Sequence, residues 1–370
     1  MLVKLNNICN ITMGQSPKSK YYSNNTGFPF IQGNRTFGFK YPFIDTYTSK
    51  ITKKAKKGDV LISVRAPVGD LNMADQDICI GRGIASLHAK DNDNNFLFYA
   101  LKANLNIVLN NGNGTTYSSI TTDVLKDIQI NIPDDAEIRT NISKILKSID
   151  DQIERNNTMV KRLQVLSQSI FNRFFAQENQ LISLLEFPYI QIIKPGIIKF
   201  DDQKHYIATA DVEGEYLNFD APSIGYDTRE SRANMQPIKN SIWFAKMKNS
   251  IKHIYLTKKD ELLVNNYVFS TGFCGIKCDD IAFEYLINYI NLPYFEIEKD
   301  ILAHGATQES TNNEDLRSFK IHLPSKEKLR AFHNKACGIH CRISEINLVT
   351  YQLSCLKEKL LPLLINGQLQ

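Results

Sequence analysis

Three short segments of this chain carry polar side chains of the kinds that bind nucleic acid. Residues 15–22 read QSPKSKYY, residues 32–36 read QGNRT, and residues 229–236 read RESRANMQ. Side chains of Arg, Asn and Gln can hydrogen-bond to base edges, and those of Lys and Ser can bind phosphate oxygens. Each segment alone is equally typical of an ordinary polar loop. Their chemistry therefore permits a nucleic-acid interface but does not distinguish it from ordinary polar loops.

Two basic runs add to this chemistry. Residues 50–57 (KITKKAKK) and 246–259 (KMKNSIKHIYLTKK) contain no acidic side chain. A single run of this kind is most often a solvated surface. One run in each half of the chain, with aromatic residues interleaved, favours a phosphate backbone as the partner. The formal net charge of +5 supports this only weakly.

Motifs for catalysis or metal binding are not found in the sequence. It has no GxxxxGK(S/T) phosphate loop, no HExxH helix and no Asn/Asp-Pro-Pro-aromatic segment of the kind used by amino-methyltransferases. Asp202 and Lys204 have the spacing that ends a nuclease motif, but no suitable acidic residue precedes them. Two cysteine pairs have a spacing that permits zinc: Cys274 with Cys278, and Cys337 with Cys341. The second pair falls in a predicted helix, so we expect a binding protein with no catalytic residue, metal or cofactor of its own.

The elements that position these segments occur twice. Residues 114–133 (GTTYSSITTDVLKDIQINIP) and 305–324 (GATQESTNNEDLRSFKIHLP) align without a gap at a spacing of 191, from 114 to 305. The identical pairs are Gly114/Gly305, Thr116/Thr307, Ser119/Ser310, Leu125/Leu316, Ile130/Ile321 and Pro133/Pro324. This spacing is far longer than a solenoid repeat. It indicates two copies of one unit, which would bind two neighbouring targets.

A long helix is predicted after each copy, at about residues 136–175 and 326–365. Apolar residues recur there with a period of 3.5, which is typical of a helix packed lengthwise against another helix. In the first helix, heptad position a is assigned to Ile142, Ile149, Asn156, Leu163 and Ile170, and position d to Ile145, Gln152, Met159, Leu166 and Arg173. The simplest arrangement is an antiparallel coiled coil of the two helices. Homodimerisation through each helix separately is the alternative.

The segment before each helix has the pattern of a mixed α/β body. In the first copy, strands are predicted at 28–31, 58–64 and 128–132 and a helix at 96–105. In the second copy, strands are predicted at 242–244, 262–269 and 319–323 and a helix at 283–290. A chain of 370 residues exceeds one ordinary core, so two such bodies are expected. The predicted division, in the order body, helix, body, helix, is 1–135, 136–178, 179–325 and 326–370.

Composition restricts the class of protein further. Hydrophobic residues make up 43% and charged residues 22% of the chain, as in soluble globular proteins. The sequence has no apolar run long enough to cross a bilayer and no signal-peptide core. Seven cysteines, an odd number spread thinly, suggest free thiols in a reducing compartment. We therefore expect a cytoplasmic protein with no membrane partner. The start at Met1 and the complete second helix lead us to expect a whole chain.

Several of these segments resemble the specificity subunits of type I restriction–modification systems. The similar motifs in the first body are residues 14–17 (GQSP), 30–34 (FIQGN), 58–69 (GDVLISVRAPVG) and 80–83 (IGRG). Residues 360–369 (LLPLLINGQL) are similar to that family's usual C-terminus. In the second body, residues 240–247 and 305–308 are family-like, but the Arg-Ala-Pro-Val-Gly run is absent. The resemblance covers the whole chain in the order domain, helix, domain, helix.

The resemblance implies a division of roles between this chain and its partners. Each body would be a target-recognition domain that reads one half of a bipartite, asymmetric site on double-stranded DNA, and the paired helices would set the unread spacer. Two methyltransferase (modification) subunits would dock along the helices and bring S-adenosylmethionine and methyl transfer. Restriction subunits would add translocation and cleavage that depend on ATP and Mg. The chain itself would be a non-catalytic recognition subunit.

Residue types in the polar loops give the candidate DNA contacts. In the first body they are Lys18, Lys20, Tyr21, Gln32, Asn34, Arg35 and Arg65. In the second body they are Arg229, Arg232, Asn234, Gln236, Lys246 and Lys248. Residues 114–117 could touch DNA or cap the closing strand. Two other classes of protein stay open: an adaptor whose bodies bind proteins, and the detached recognition part of a single-chain restriction–methylation enzyme.

Overall fold

The chain folds into two compact units. The computed structural model describes residues 1–110, 119–217, 221–305 and 309–368. Unit 1 comprises Met1–Ile153 with Leu353–Gln370, and unit 2 comprises Glu154–Gln352. The boundaries between the units thus fall inside the two long helices, whereas the sequence places domain boundaries at the helix ends. No helix in the described part of the chain has the length and apolarity that a membrane crossing requires.

Unit 1 is a mixed α/β structure with two main sheets. Its strands are β1 (Leu2–Lys4), β2 (Cys9–Met13), β3 (Tyr22–Ser23), β4 (Phe28–Ile31), β5 (Tyr47–Thr48), β6 (Lys54–Ala55), β7 (Val60–Ser63), β8 (Leu71–Met73), β9 (Ile78–Ile80), β10 (Ile84–Ala89) and β11 (Gln129–Asn131). Its helices are α1 (Leu5–Ile8), α2 (Asn94–Asn110), α3 (Thr122–Asp127) and the first part of α4 (Ala136–Phe175). One sheet has the antiparallel order β2-β10-β7-β8. The other has the order β3-β5-β4-β9-β6, in which β4 and β9 are parallel.

Strand β7 lies between two apolar layers. All four of its residues are buried, and successive side chains on a strand point to opposite faces. Val60 and Ile62 belong to the core cluster that includes residues of α2, whereas Leu61 belongs to a cluster with Ile31 of the second sheet. Because both faces are covered, the strand requires a continuous apolar run rather than an alternating one. The strand predicted at 58–64 is confirmed within these bounds.

Unit 2 has the same kinds of element. Its strands are β12 (Leu181–Ser183), β13 (Ile190–Ile193), β14 (Lys204–Ile207), β15 (Val212–Glu213), β16 (Tyr216–Leu217), β17 (Ser223–Ile224), β18 (Ala233–Met235), β19 (Ser241–Ala245), β20 (His253–Leu256), β21 (Tyr267–Ser270), β22 (Phe273–Cys278) and β23 (Lys320–His322). Its helices are α5 (Glu261–Asn266), α6 (Asp280–Ile290), α7 (Pro293–Leu302) and most of α8 (Lys326–Ile365). The sheets have the orders β13-β22-β19-β20 and β17-β14-β21-β18.

The topology of unit 1 recurs in unit 2. The sheet β13-β22-β19-β20 corresponds to β2-β10-β7-β8, and the parallel pair β14/β21 corresponds to β4/β9. The closing pairs are equivalent in register as well, with Leu2 opposite Asn131 in unit 1 and Leu181 opposite His322 in unit 2. Asn131 and His322 are separated by the same 191 residues as the sequence repeat. The predicted duplication and the mixed α/β class are confirmed.

One predicted strand is wrong over most of its length. The sequence predicts a strand at 262–269, but Glu261–Asn266 forms helix α5 and β21 begins only at Tyr267. The Thr257 N–H donates to the Asp260 carboxylate at 2.6 Å, which tightens the turn before the helix. Glu and Leu at the start of the segment favour a helix. Aromatic and β-branched residues, which favour strands, follow only after Asn266.

Both long helices, α4 and α8, have the predicted bounds, and each contributes to the core of both units. In unit 1, Ile142 and Leu146 of α4 share a cluster with Leu361 and Ile365 of α8. Burial of these side chains holds the two helix segments to the same core.

Within unit 2 the two helix segments run antiparallel. Asn156 Nδ2 donates to Thr350 Oγ1 at 3.0 Å, and Ser167 Oγ lies 2.8 Å from His340 Nε2. The rings of Phe175 and Phe332 are 5.2 Å apart between centroids. Residue numbers thus rise along α4 as they fall along α8. A coiled coil that continues through both units stays a prediction.

The assignment of heptad position d in α4 is wrong. Three residues at that position are about half exposed: Ile145 (46%), Met159 (48%) and Leu166 (49%). The buried stripe instead follows positions a and e, with Ile142, Leu146, Ile149 and Ile153. The cause is a second neighbour in each unit. Helix α4 also contacts α2, where Tyr99 donates to Asp150 at 2.7 Å, and α6, where Asn288 donates to Ser167 at 2.9 Å. A helix with two neighbours buries a wider and rotated stripe than a two-stranded coiled coil does.

Candidate nucleic-acid interface

Loop 14–22 of unit 1 is held against the connection between β9 and β10. The Gly14 N–H donates to the Ile84 carbonyl at 2.9 Å. The Ser16 hydroxyl accepts a hydrogen bond from the Arg82 N–H at 3.1 Å. A β9-to-β10 connection leads from one main sheet to the other, so this loop is fixed at the place where the two layers meet.

The same connection binds the other predicted loops of unit 1. The Gly83 N–H donates to the Gln32 carbonyl at 3.1 Å, and the Val64 N–H donates to the Gly83 carbonyl at 2.9 Å. The Ile120 N–H in turn donates to the Val64 carbonyl at 2.9 Å. Because Arg65 follows Val64 directly, this series of backbone hydrogen bonds brings three polar loops side by side.

The ring of Tyr21, on loop 14–22, lies close to the ammonium groups of two lysines. Lys18 and Lys20 are exposed and Tyr21 is half-buried. The Nζ atoms of Lys20 and Lys50 lie 5.2 and 5.6 Å from the centroid of the Tyr21 ring. Cations at this distance from an aromatic face are attracted to it. The result is a small, preformed cationic surface that suits a phosphate group.

The predicted residues of the other two loops differ in how far they are already engaged. Gln32 and Arg65 are exposed. Arg35 is 73% exposed but pairs with Asp45 at 2.6 Å, and its hydrogen bond holds the pKa of the Asp45 carboxyl below its usual range. The Asn34 side chain donates to Asp70. To contact bases, Arg35 and Asn34 would therefore have to release Asp45 and Asp70.

The basic run 50–57 adjoins loop 14–22. The Thr52 hydroxyl donates to the Gln15 carbonyl, and the Ile80 N–H donates to the Lys53 carbonyl at 2.9 Å. Lys54, one residue further on, forms an ion pair with an acidic residue of the β8-to-β9 connection. The run is thus part of the same surface as the polar loops, although its lysines are not all free to bind phosphate.

Gly14→Ala is expected to lower the free energy of unfolding of unit 1 by about 1–3 kcal/mol, as overpacking does elsewhere. A Cβ atom at this position would lie 2.2 Å from the backbone oxygen of Gly81, which cannot move without disturbing the connection. Chemical denaturation measures the change. Gly33→Ala is the matched control, because its Cβ would meet no atom within 4 Å. Equal stability of the two variants would contradict this packing.

Unit 2 repeats several of these backbone hydrogen bonds around its β21-to-β22 connection. The Thr271 N–H donates to the Arg232 carbonyl at 2.8 Å, which corresponds to the bond from the Ile80 N–H to the Lys53 carbonyl in unit 1. The Lys246 N–H donates to the Gly272 carbonyl at 3.0 Å, and the Thr311 N–H donates to the Lys246 carbonyl at 3.0 Å. Backbone geometry of this loop framework is therefore shared by the two units, whatever the side chains.

The side chains on the shared framework differ between the units. Arg65 forms an isolated β-bridge with Ser119, and Met247 forms the equivalent bridge with Ser310. Ser119 and Ser310 are one of the identical pairs of the sequence repeat. An exposed arginine in unit 1 is thus replaced by a methionine in unit 2. Such a change alters what the surface can bind without altering how it is built.

Three of the predicted contacts in unit 2 are cations with different surroundings. Arg232 is exposed, whereas the guanidinium of Arg229 stacks on the Tyr226 ring at 4.3 Å and donates to the Tyr226 carbonyl. Lys248 forms an ion pair with Glu309 at 2.7 Å. Arg232 is therefore the freest candidate for base contact in this unit, because the other two cations already have partners.

The remaining predicted residues of unit 2 are half-buried and serve the loops themselves. The Gln236 side chain accepts a hydrogen bond from the Ile198 N–H at 3.3 Å. The Asn234 carbonyl accepts from the Gly196 N–H at 2.7 Å, while Lys246 supplies both backbone bonds described above. The structure thus brings these residues together with Arg232, but it gives Gln236 a role in fixing the loop.

One functional candidate was missed from the sequence. Arg82 is exposed, and its N–H is the donor to Ser16, so it lies between loop 14–22 and the β9-to-β10 connection. Its position between Gly81 and Gly83 was a usable signal, because two glycines allow a tight approach of the chain to a ligand. Residues 114–117 and 306–308 lie outside the described residues.

The first of the two cysteine pairs whose spacing permits zinc lies in a buried strand. Cys274 and Cys278 are buried in β22, and burial raises the pKa of Cys274 to about 12, so its thiol stays protonated. Zinc requires the thiolate form. In the ranges that the structure describes, no group of three or more His, Cys, Asp or Glu side chains is arranged to hold a metal ion.

The first part of the chain is similar in sequence to known proteins. A sequence model of the family "Type I restriction modification DNA specificity domain" matches residues 1–164. A Methanocaldococcus jannaschii protein, named as the MjaX specificity subunit of a type I restriction enzyme, is 40% identical over 165 residues, which are 44% of this chain and 39% of that protein. The MjaIX specificity subunit of the same organism is 24% identical over 187 residues, 46% of this chain and 43% of that protein. The chain spans about two fifths of the length of these relatives.

The fold is also found in a solved structure. The type I restriction–modification S subunit from M. genitalium covers 99% of this chain and 96% of its own, with a TM-score of 0.60 at 14% identity, a likeness that concerns the fold alone. The repeated topology thus defines a protein with two units of one fold. Residues 1–164 are similar to a type I restriction–modification DNA specificity domain.

Proposed function

We propose that this chain is the DNA-specificity subunit of a type I restriction–modification complex. Each unit reads one half of a bipartite, asymmetric site on double-stranded DNA. The observation that carries the proposal is the loop framework. Its backbone hydrogen bonds at Val64 and Ile120 recur at Lys246 and Thr311, but it presents Arg65 in one unit and Met247 in the other. A shared frame with different side chains suits the reading of two different short sequences.

The partners follow from the same proposal. Methyltransferase subunits, two in number, dock along α4 and α8 and bring S-adenosylmethionine, and restriction subunits bring ATP and Mg. Exposed apolar side chains support docking on both helices, among them Met159, Val165 and Leu166 on α4 and Val349 and Leu356 on α8. Such residues on a helix surface are typical of a protein contact. The chain supplies recognition without catalysis or a cofactor, and a cytoplasmic location remains the expectation.

Methylation mapping tests the function directly. Cells that express the chain together with a modification subunit are sequenced by a long-read method that detects methylated bases. We expect one gapped motif, methylated on both strands, that disappears when the chain is omitted. If no new methylation appears while the modification subunit is present and folded, the proposal fails and a protein-binding adaptor takes its place.

Arginine and lysine variants distinguish base contacts from phosphate contacts. Arg65→Ala or Arg82→Ala is expected to weaken binding of the target by about 1–3 kcal/mol and to relax one position of the first half-site. Lys20→Ala is expected to weaken all DNA sequences alike and to lower the salt dependence of binding. Lys144→Ala, an exposed residue on α4, is the control. Fluorescence anisotropy with a panel of duplexes at several salt concentrations measures both effects. Unchanged affinity and methylation pattern for both arginine variants would remove them from the interface.

A further inference from the structure

A buried charged group links three elements in unit 1. Asp150 of α4 is 2% exposed and accepts hydrogen bonds from Lys357 Nζ at 2.7 Å and from the Tyr99 hydroxyl at 2.7 Å. Lys357 belongs to α8 and Tyr99 to α2, and both are buried. We call these three residues the charged triad. It joins both long helices to helix α2.

A buried group of three polar residues occupies unit 2. Ser167 of α4 lies 2.8 Å from His340 Nε2 of α8 and accepts a hydrogen bond from Asn288 of α6 at 2.9 Å. All three are buried. Burial lowers the pKa of His340 to about 4, so the imidazole is neutral at physiological pH. We call these three residues the neutral triad.

The two triads occupy equivalent positions of the duplicated chain. Asp150 and His340 lie at the same distance from the first residues of α4 and α8, and so do Ser167 and Lys357. Tyr99 and Asn288 lie at the same distance from the last residues of β10 and β22, which are equivalent strands. The same site therefore occurs in both units. It holds opposite charges in unit 1 and neutral groups in unit 2.

We infer that the two triads determine which helix segments pair, so that the chain closes on itself and does not pair its like helices with those of a second copy. If the first helices of two copies paired, Ser167 of the second copy would stand opposite Asp150 and leave this carboxylate without a cation. If the second helices paired, Lys357 of one copy would stand opposite His340 of the other and bring a charge into the neutral site. Both arrangements bury an uncompensated charge.

The difference in free energy between these arrangements is large because the side chains of both triads are buried. Removing one partner of a buried ion pair is far more costly than exchanging the whole pair for neutral groups, since the remaining charge stays without compensation. A single buried polar pair at a helix seam is also the best-attested means of fixing which helices associate. The inference concerns self-pairing and does not depend on what the two units bind.

A pair of full-length chains with exchanged charges tests the inference. The first chain carries Asp150→Lys, which places two cations together, and the second carries Lys357→Asp, which places two anions together. Refolded separately, each is expected to close poorly. Refolded together, they can form a dimer in which α8 segments are exchanged: the introduced lysine meets the introduced aspartate, and the native Asp150 meets the native Lys357. We expect the mixture to contain on the order of 100-fold more dimer than either chain alone.

Size-exclusion chromatography with light scattering measures the dimer, and differently tagged chains show that it is mixed. The wild-type chain is expected to be monomeric, and so is the double variant Asp150→Lys with Lys357→Asp, which restores the pair within one chain. Equal amounts of dimer in the mixture and in the separate reactions would overturn the inference. A double variant that closes no better than the single ones would do so as well.

Discussion

Trp243→Ala is expected to lower the free energy of unfolding of unit 2 by about 3–5 kcal/mol, which is the usual cost of truncating a buried aromatic side chain. Trp243 is fully buried in β19, and its ring packs edge-to-face on Phe269 with centroids 5.1 Å apart. Its Nε1 donates to the Ser241 hydroxyl at 2.8 Å. Removal of the ring opens a cavity between the two main sheets, next to the strand that leads to Lys246.

Trp243→Phe is the matched control for this prediction. It keeps an aromatic ring in the core but removes the N–H group, so a smaller loss of about 1–2 kcal/mol is expected, from the lost hydrogen bond and a reduced volume. Denaturant titration of the full chain, with a probe in each unit, separates the two transitions. If the alanine variant unfolds at the same denaturant concentration as the wild type, Trp243 is not the core residue that the structure makes it.

The equivalent position in unit 1 is occupied by different residues, so the loss of stability on removing the tryptophan ring concerns unit 2. Trp243 stands opposite Gly275 on the neighbouring strand, and a Cβ on this glycine would lie 2.4 Å from the Trp243 ring. In unit 1 the corresponding cross-strand pair is Leu61 opposite Ser86. A tryptophan over a glycine in one unit thus takes the place of a leucine over a serine in the other. Close packing is kept although neither residue is shared.

This exchange shows what sequence alone could and could not predict about the fold. The long helices were predictable because forty residues of apolar periodicity average out local exceptions, and β7 and β19 were predictable as continuous apolar runs. The second sheet of each unit was not, because strands such as Tyr22–Ser23 and Lys54–Ala55 are too short to show any period. Their positions depend on tertiary pairing. The buried face of α4 was misjudged for a related reason, since its neighbour α2 is distant in sequence.

The candidate interface shows the same limit. Side-chain types indicated the loops that carry Gln32, Arg65 and Arg232, and the structure places them on a common framework in each unit. Residue type could not show which amides are already engaged, and Gln236 proves to support its own loop. Nor could it show that Arg82 joins the surface, because this depends on a hydrogen bond between residues far apart in the chain. Convergence of loops is a property of the backbone fold.

Acidification is expected to destabilise unit 2 through His340. Burial lowers the pKa of His340 from its ordinary 6.5 to about 4, so the folded unit holds a neutral imidazole that the unfolded chain protonates more readily. Stability contributed by this group is complete above pH 6.5 and is lost as the pH falls toward 4. Between pH 7 and pH 5 the loss is about 2 kcal/mol, at about 1.4 kcal/mol per pH unit below the unfolded pKa.

His340→Gln isolates this contribution, because the amide can still hydrogen-bond to Ser167 but cannot be protonated. Denaturant titrations of both chains at pH 7, 6 and 5 measure it, and the two stability curves should diverge by about 2 kcal/mol as the pH falls. Burial raises the pKa of Glu215 and of Glu284, so their protonation favours the folded state and acts in the opposite direction. Glu215 and Glu284 are present in both the wild type and His340→Gln, so their contributions to the pH dependence cancel in the comparison.

Parallel curves for the wild type and His340→Gln would show that the imidazole is not held neutral in the folded unit. The neutral triad would then carry a charge over the physiological range, and its difference from the charged triad in unit 1 would be smaller than the structure indicates. Divergent curves would show that the unit excludes a proton from the site where unit 1 encloses an ion pair. The same site in one fold would then be neutral in one copy and charged in the other, which is the condition that lets the chain distinguish its own two helices.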